Sequence, residues 1–207
     1  MIKPSKLIFI RHAPIAKVQG FIPENDPSAI IDDKSFKHLS KFVPKDSLWY
    51  ISPLRRTFET AQALSRYVKP GKMIIDNELI EQNFGDWTGK KVSQVWEEIK
   101  LEKSKHNFSF ICPEVSPPNG DSFLDQCKRI SSWIEKLELF KLQSVVVITH
   151  AGTIRAALSH ILGIDPDKAI GIEILHLSMT SFEFLEKSQN KFRGGRLRLL
   201  GVNCLKI

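Results

Sequence analysis

Two short apolar runs in this chain each end on a histidine. Leu7-Ile8-Phe9-Ile10 leads into Arg11-His12, and Val145-Val146-Val147-Ile148-Thr149 leads into His150-Ala151-Gly152. A neutral imidazole is a competent nucleophile toward phosphorus, and a guanidinium forks onto phosphate oxygens while offsetting their charge. An arginine and a histidine directly behind apolar residues are costly to bury, so they must be paired or emerge at a rim. A histidine hydrogen-bonded at a strand end is the plain structural alternative. Beyond His150, Gly152 permits close backbone approach, and a helix starting near Thr153 would aim its amides at the same strand end, a natural seat for an anion. Arg155, one helical step on, either reaches that seat or pairs with a nearby acid.

Two further groups carry chemistry. Ser52-Pro53-Leu54-Arg55-Arg56-Thr57 is again a strand end leading into a helix start, now with paired arginines. One guanidinium there reads as an oxyanion ligand and the other as solvated, and the pattern does not say which. Glu78-Leu79-Ile80-Glu81-Gln82-Asn83-Phe84-Gly85-Asp86-Trp87 sets carboxylates beside aromatic rings. Partial desolvation raises a carboxyl pKa and suits a general acid, although an exposed, ionised glutamate fits the same residues.

The elements that must position these groups alternate along the chain. The runs before the two histidines have the β-branched, continuous character of strands buried on both faces of a parallel sheet, and ligands of open α/β sheets bind beyond the carboxyl ends of such strands. The sequence predicts strands over Lys6–Ile10, Leu48–Ile51 and Met73–Ile75, and a polar loop over Ala13–Lys34. Helices are expected over Phe36–Phe42, from Ser52 as N-cap and Pro53 through Leu64, over Val92–Glu102, over Ser122–Phe140, and over Thr153–Leu162 closed by Gly163. Glu78–Gly89 reads as a turn-rich loop and Lys103–Asp121 as irregular. From Glu173 to Asn203 the chain alternates as strands around a turn near Ser188–Gly195. The expectation is an α/β fold: a three-layer α/β/α sandwich with a mostly parallel central sheet and a small helical lobe inserted over the site, within one domain spanning 1–207, the lobe covering about 77–126.

With 207 residues, 42% hydrophobic and 26% charged, the composition is that of an ordinary globular domain. No apolar stretch approaches membrane-spanning length and the first residues lack signal-peptide architecture, so neither a membrane partner nor export is expected. Cys112, Cys127 and Cys204 read as reduced thiols, pointing to a cytoplasmic protein. The net charge of +7 is concentrated: Lys187, Lys191, Arg193, Arg196, Arg198 and Lys206 fall in the last stretch, which has no acid. A solvated hairpin accounts for that run, and no nucleic-acid partner is expected. His38, His106, His160 and His176 show no metal-ligand spacing. Lys90, Lys91, Trp96, Lys103 and Lys105 hint at an anionic or aromatic ligand, as plain helix-face exposure also would. Oligomeric state has no signature in the sequence.

Taken in order, Arg-His-x, Ser-Pro-Leu-x-Arg-Thr-x-x-Thr-Ala, Glu-x-x-Phe-Gly-x-Trp-x-Gly and His-Ala-Gly-x-x-Arg resemble the histidine phosphatase superfamily, specifically its phosphoglycerate mutase-like branch, with the opening Arg-His-Ala-Pro closest to bacterial α-ribazole phosphatases. The resemblance spans Leu7 to about Leu162. It implies that His12 is the phosphorylated nucleophile, that Arg11 and Arg56 hold phosphoryl oxygens, that His150 is a second phosphate-contacting histidine which can be charged, and that Glu81 exchanges a proton with the leaving alkoxide. Gly152 would supply a backbone amide, and Gln19-Gly20 aligns with a phosphate-meeting loop. The implied activity is metal-independent hydrolysis of small-molecule phosphate monoesters through a phosphohistidine, with no cofactor. Ala13 stands for the usual glycine, Ala16-Lys17-Val18 for the usual asparagine and arginine, and Gly120-Asp121-Ser122 for Gly-Glu-Ser. These departures favour hydrolysis over the alternative of a phosphoglycerate mutase-type transfer, and the presence of His12, Arg56 and Glu81 favours it over a non-catalytic phospholigand-binding module.

Overall fold

The structure is a computed structural model in which residues 5–99, 105–138, 144–184 and 195–204 are described. Strands β1 (Ser5–Arg11), β2 (Leu48–Ile51), β3 (Lys72–Ile75), β4 (Ser144–Thr149), β5 (Met179–Phe184) and β6 (Leu197–Gly201) form one sheet in the order β3-β2-β4-β1-β5-β6. The pairs β3·β2, β2·β4 and β4·β1 are parallel, whereas β5 runs antiparallel to β1 and β6 antiparallel to β5. Helices α1 (Asp33–Leu39), α2 (Arg55–Ser65), α3 (Val92–Ile99), α4 (Phe123–Lys136), α5 (Ala151–Leu162) and α6 (Pro166–Ile170) complete the fold.

Strand alternation divides the apolar residues into two cores. Leu7, Phe9, Val145, Val147 and Phe182 pack with Ile130, Trp133 and Ile134 of α4 and Ile154, Ala157 and Leu158 of α5. On the opposite face, Ile8, Ile10, Trp49, Ile51, Val146 and Ile148 pack with Phe36 and Leu39 of α1 and Ala61 and Leu64 of α2. Successive strand side chains point to opposite faces, so an uninterrupted apolar run is what a sheet covered on both sides needs. This is the expected sandwich with a mostly parallel sheet. A smaller third cluster, Ile22, Trp87, Val95 and Ile111 with Phe84 and Phe110, lies outside both.

Several element boundaries differ from expectation for local reasons. Helix α1 starts three residues early because the Asp32 carboxylate accepts from the Ser35 amide at 3.1 Å and caps it. Helix α2 starts at Arg55 rather than at Pro53, and Ser52 is not its cap; the cap position belongs to Leu54, which makes no side-chain cap bond. The Ser52 hydroxyl is committed elsewhere, to His150. Helix α5 begins at Ala151, with His150 itself as N-cap, and closes on Gly163 in the left-handed region. The 78–89 loop contains two 3-10 turns, Asn77–Leu79 and Gly85–Trp87. Helix α6 was not anticipated, although Asp165-Pro166 is a cap followed by proline at the first helical position. The far ends of the expected helices at Glu102 and Phe140, Lys103, most of the Ser188–Gly195 turn, and Lys187, Lys191, Arg193 and Lys206 lie outside the described residues. No helix among the described residues is long and apolar enough to cross a membrane.

Helix α4 is fixed at its start by a capping box: the Ser122 hydroxyl accepts from the Asp125 amide, and the Asp125 carboxylate accepts from the Ser122 amide. Ser122→Ala should lower stability by about 1 kcal/mol, read as a drop of a few degrees in thermal unfolding midpoint.

Candidate active site

Register brings the chemical groups together. In the parallel ladder Arg11 stands opposite Thr149, so the next residues, His12 and His150, emerge side by side at the carboxyl edge of the sheet. Ile51 is level with Ile148, and the Ser52 amide donates to the Ile148 carbonyl at 3.1 Å, which delivers the α2 start to the same edge. The antiparallel strand β5 contributes from its amino end: the Leu177 amide donates to the Arg11 carbonyl at 3.1 Å, placing His176 next to His12.

The histidine rings form a cluster, with centroids 5.2 Å apart for His12 and His150 and 5.1 Å for His12 and His176. His12 Nδ1 lies 2.7 Å from the Ala13 carbonyl oxygen. A carbonyl can only accept, so Nδ1 carries the proton and Nε2 keeps its lone pair. The Ala13 backbone is itself anchored, its amide donating to Thr60 Oγ1 of α2 at 2.9 Å. Ser52 Oγ and His150 Nε2 share a 2.7 Å bond, and His150 Nδ1 is buried without a partner. His176 Nδ1 donates to the His12 carbonyl at 2.9 Å. His176 carries no local motif; only the pairing of β5 with β1 reveals it, as only the fold reveals Ser52 and Thr60.

The arginines separate cleanly. Arg56 is 7% exposed, lines the cavity and donates to the Asn25 carbonyl at 3.0 Å, leaving its Nε unpartnered. The Arg55 side chain is 62% exposed and pairs with Glu59 on the outer face of α2. Arg11 donates through one terminal nitrogen to the Ile174 carbonyl and likewise keeps an unpartnered buried Nε. Arg11 and Arg56, with His12, Lys17 and Glu81, line one cavity of about 390 Å³. Gln19 and Gly20 do not: both are exposed on the far part of the loop, where the Gly20 carbonyl is taken by the Val92 amide at 2.9 Å. The hinted ligand residues are likewise used within the lobe. Lys90 pairs with Glu98 at 2.8 Å, Lys91 stacks over Phe21, Lys105 over Trp96, and Trp96 Nε1 donates to the Phe110 carbonyl.

Glu81 reaches this cavity on a stitched loop. Thr149 Oγ1 donates to the Leu79 carbonyl at 2.8 Å, and Arg129 of α4 donates to the Glu78 and Ile80 carbonyls at 3.1 and 2.7 Å. The carboxylate then accepts from Gln126 Nε2 at 2.9 Å, the Gln82 amide at 3.2 Å and the Gly152 amide at 3.2 Å. The Gly152 amide is therefore spent on Glu81 rather than offered to a ligand. A Cβ at residue 152 would collide with Glu81 Oε1 and approach Gln126 Oε1 to 2.7 Å, so glycine is required for the carboxylate to sit where it does. Arg155 points its Nε at the Ile172 carbonyl, 2.7 Å away, in a bracing role. Among the described residues, no group of three His, Cys, Asp or Glu side chains is placed to hold a metal ion.

Burial pushes the His12 imidazole down to about 2, helped by His150 and Arg56, and pushes His176 down to about 4, helped by Arg11. His150 is lowered well below the ordinary histidine value by burial and then by Arg56, Arg11 and Arg129. One desolvated, arginine-rich environment thus favours the neutral form of all three rings, and His150 takes the hydrogen-bonding role, to Ser52. Burial also lowers Arg11 to about 10, opposed by Glu81. Because unfolding exposes imidazoles that take up protons near their ordinary value of 6.5, the unfolded chain binds more protons than the folded one below that pH. Stability from these rings is full above that pH and is lost as pH falls toward 4. Chemical denaturation of the protein at pH 7, 6 and 5 should show that fall, to which fully buried His150 contributes.

Comparisons with known proteins agree with the geometry. Residues 33–193 match the family model described as the histidine phosphatase superfamily, branch 1. That span contains Arg56, Glu81, His150 and Gly152, while Arg11 and His12 precede it and are joined to them by the sheet. Phosphoserine phosphatase 1 of Hydrogenobacter thermophilus is 30% identical over 175 residues, 79% of each chain. Two solved structures share the fold. A putative alpha-ribazole-5'-P phosphatase from Escherichia coli has a TM-score of 0.76 and 18% identity over 97% of this chain and 96% of its own. A mycobacterial glucosyl-3-phosphoglycerate phosphatase has a TM-score of 0.75 and 19% identity over 96% and 98%. With the motif order, the converging side chains and this match in agreement, the chain belongs to branch 1 of the histidine phosphatase superfamily.

Proposed function

We propose that the protein hydrolyses small-molecule phosphate monoesters through a phosphohistidine on His12, using one domain with an inserted lobe over about 77–126, in the cytoplasm. The observation that carries the reading is the His12 tautomer: Nδ1–H is held by the Ala13 carbonyl, so the unprotonated Nε2 belongs to a ring lining a cavity that also holds Arg11 and Arg56. The phosphatase relatives act, by their names, on phosphorylated small molecules, and the three cysteines form no disulfide, as suits a reducing compartment.

In the first step Nε2 attacks phosphorus in line, the N–P bond forms and the ester P–O bond breaks. Arg11 and Arg56, desolvated and with unpartnered Nε groups, neutralise the equatorial oxygens. Glu81 protonates the departing oxygen. Its carboxylate is positioned for that transfer by Gln126 Nε2 and by the Gln82 and Gly152 amides. In the second step Glu81 takes a proton from water, the hydroxide oxygen attacks phosphorus and the N–P bond breaks, returning His12 to its starting tautomer. The neutral His150 ring, held by Ser52, packs against the nucleophile and fixes its tilt.

His12→Ala should abolish release of inorganic phosphate from a panel of monoesters, and near-normal turnover by this variant would refute the assignment. Arg56→Ala should cut kcat/KM by about a hundredfold or more, whereas Arg55→Ala should stay within a few-fold of the native protein. Gly152→Ala should lower kcat by about a hundredfold through displacement of Glu81, with thermal stability little changed; phosphate-release kinetics beside a melting curve separate the two effects.

A further inference from the structure

Strand β1 ends at Arg11, and beyond it side chains take over from the backbone ladder. The Arg11 carbonyl still accepts from the Leu177 amide at 3.1 Å. One residue on, the His12 carbonyl accepts from His176 Nδ1 at 2.9 Å, and the Ala13 amide donates to Thr60 Oγ1 at 2.9 Å. The Thr60 hydroxyl proton goes to the Arg56 carbonyl at 2.6 Å, which leaves its lone pairs free to accept. The His12 carbonyl and the Ala13 amide belong to one planar peptide unit. That unit is gripped at both edges, by an imidazole from one side and by α2 from the other. Pro14 follows Ala13 and confines it to extended backbone, so fixing the plane ahead of Ala13 also directs the Ala13 carbonyl. This is the carbonyl that holds His12 Nδ1 at 2.7 Å.

The turn that carries His176 is built to keep it there. Leu177 has a φ of 55°, in the left-handed region that a residue with a Cβ adopts only under constraint from its surroundings. Its side chain is buried in the core beneath α1 and α2. Asn203, past the end of β6, ties the turn: its Oδ1 accepts from the Leu175 amide and its Nδ2 donates to the Glu173 carbonyl, both at 2.8 Å. Arg11 donates to the Ile174 carbonyl of the same turn. Arg11, Lys17 and Arg56 face the His176 ring and, with burial, favour its neutral form. A neutral imidazole has one N–H, and here it goes to the His12 carbonyl. His176 does not line the 390 Å³ cavity, so its influence on bound phosphate runs through His12.

We propose that His176 is a positioning residue for the nucleophile: it clamps the His12–Ala13 peptide against Thr60 and thereby fixes the line along which His12 Nε2 meets phosphorus. The proposal rests on the hydrolytic reading above. Without the imidazole donor, one edge of the peptide is free and the His12 ring can swing. The chemical step then slows, while Arg11 and Arg56 still hold the ester.

Three variants test this on whichever monoester the native protein hydrolyses fastest. His176→Ala, and His176→Phe with its ring but no donor, should each cut kcat by about tenfold or more. KM and inhibition by inorganic phosphate should stay within about threefold of native. His176→Asn should return kcat to within about threefold, because asparagine Nδ2 stands as many bonds from the backbone as imidazole Nδ1 and donates likewise. Nitrogen NMR of histidine-labelled protein without substrate should show the Nδ1–H tautomer of His12 in the native protein and His176→Asn, and a tautomer mixture in His176→Ala and His176→Phe. A kcat within threefold of native in either donor-free variant overturns the role, as does an Asn variant that melts like the native protein yet is as slow as they are. A raised KM at unchanged kcat also overturns it, since His176 would then touch the ester itself. Should the native protein release phosphate from no ester, the hydrolytic reading falls by itself. The tautomer spectra then still decide the clamp, and an unchanged His12 tautomer in both donor-free variants overturns it.

Discussion

The parallel pairing of β1 with β4 is the constraint on which the rest of the site depends. It sets Arg11 opposite Thr149 and so delivers two imidazoles from opposite halves of the chain to one sheet edge, their centroids 5.2 Å apart. Neutral rings can be this close and buried; two imidazolium groups beside two guanidinium groups could not. The depressed values of His12, His150 and His176 are therefore a consequence of the pairing, and they keep the His12 lone pair available at physiological pH. The site holds its positive charge on arginine, the side chain that retains a proton under the same desolvation.

Glu81 shows how far such a constraint spreads. Its loop hangs from the β4 end through Thr149, from α4 through Arg129, and from the α5 start through the Gly152 amide. Gln126, the residue after Asp125 of the α4 capping box, donates to the same carboxylate. The capping of one helix and the absence of a side chain at residue 152 thus act on the position of a single carboxylate. Burial of Gln126 and Thr153 behind it leaves that carboxylate little freedom to move.

Division of labour between sheet and lobe follows from the same arrangement. Arg11, His12, Arg56 and His150 stand on strand ends and helix starts, where hydrogen-bonded ladders restrict movement. Phe84 and Phe110 pack in a small core of their own with Trp87, Val95 and Ile111. Rigid sheet edges suit a step that requires alignment along one bond, and a separately packed lobe can vary in shape without disturbing it.

Much of this was legible in the residues. Apolar β-branched runs ending on histidine mark buried parallel strands with their chemistry at the carboxyl edge, because burial on both faces demands continuous apolarity and the polar groups must emerge where the strand stops. Arg11, His12, His150 and the choice of an arginine at 55 or 56 were visible in that way, whereas Glu81 was singled out among several carboxylates only by the family resemblance of its motif. Which arginine faces inward is decided by where α2 begins, and that in turn by Ser52 giving its hydroxyl to His150 instead of capping the helix. Gln19 and Gly20 sit away from the cavity, Gly152 serves Glu81, and His176 joins the cluster, none of which sequence spacing encodes. Local pattern determined the elements and the candidate chemistry, since both depend on near neighbours along the chain. Tertiary structure alone decided partners and protonation states, since these depend on contacts across more than a hundred residues, such as the 2.9 Å bond from His176 to the His12 carbonyl.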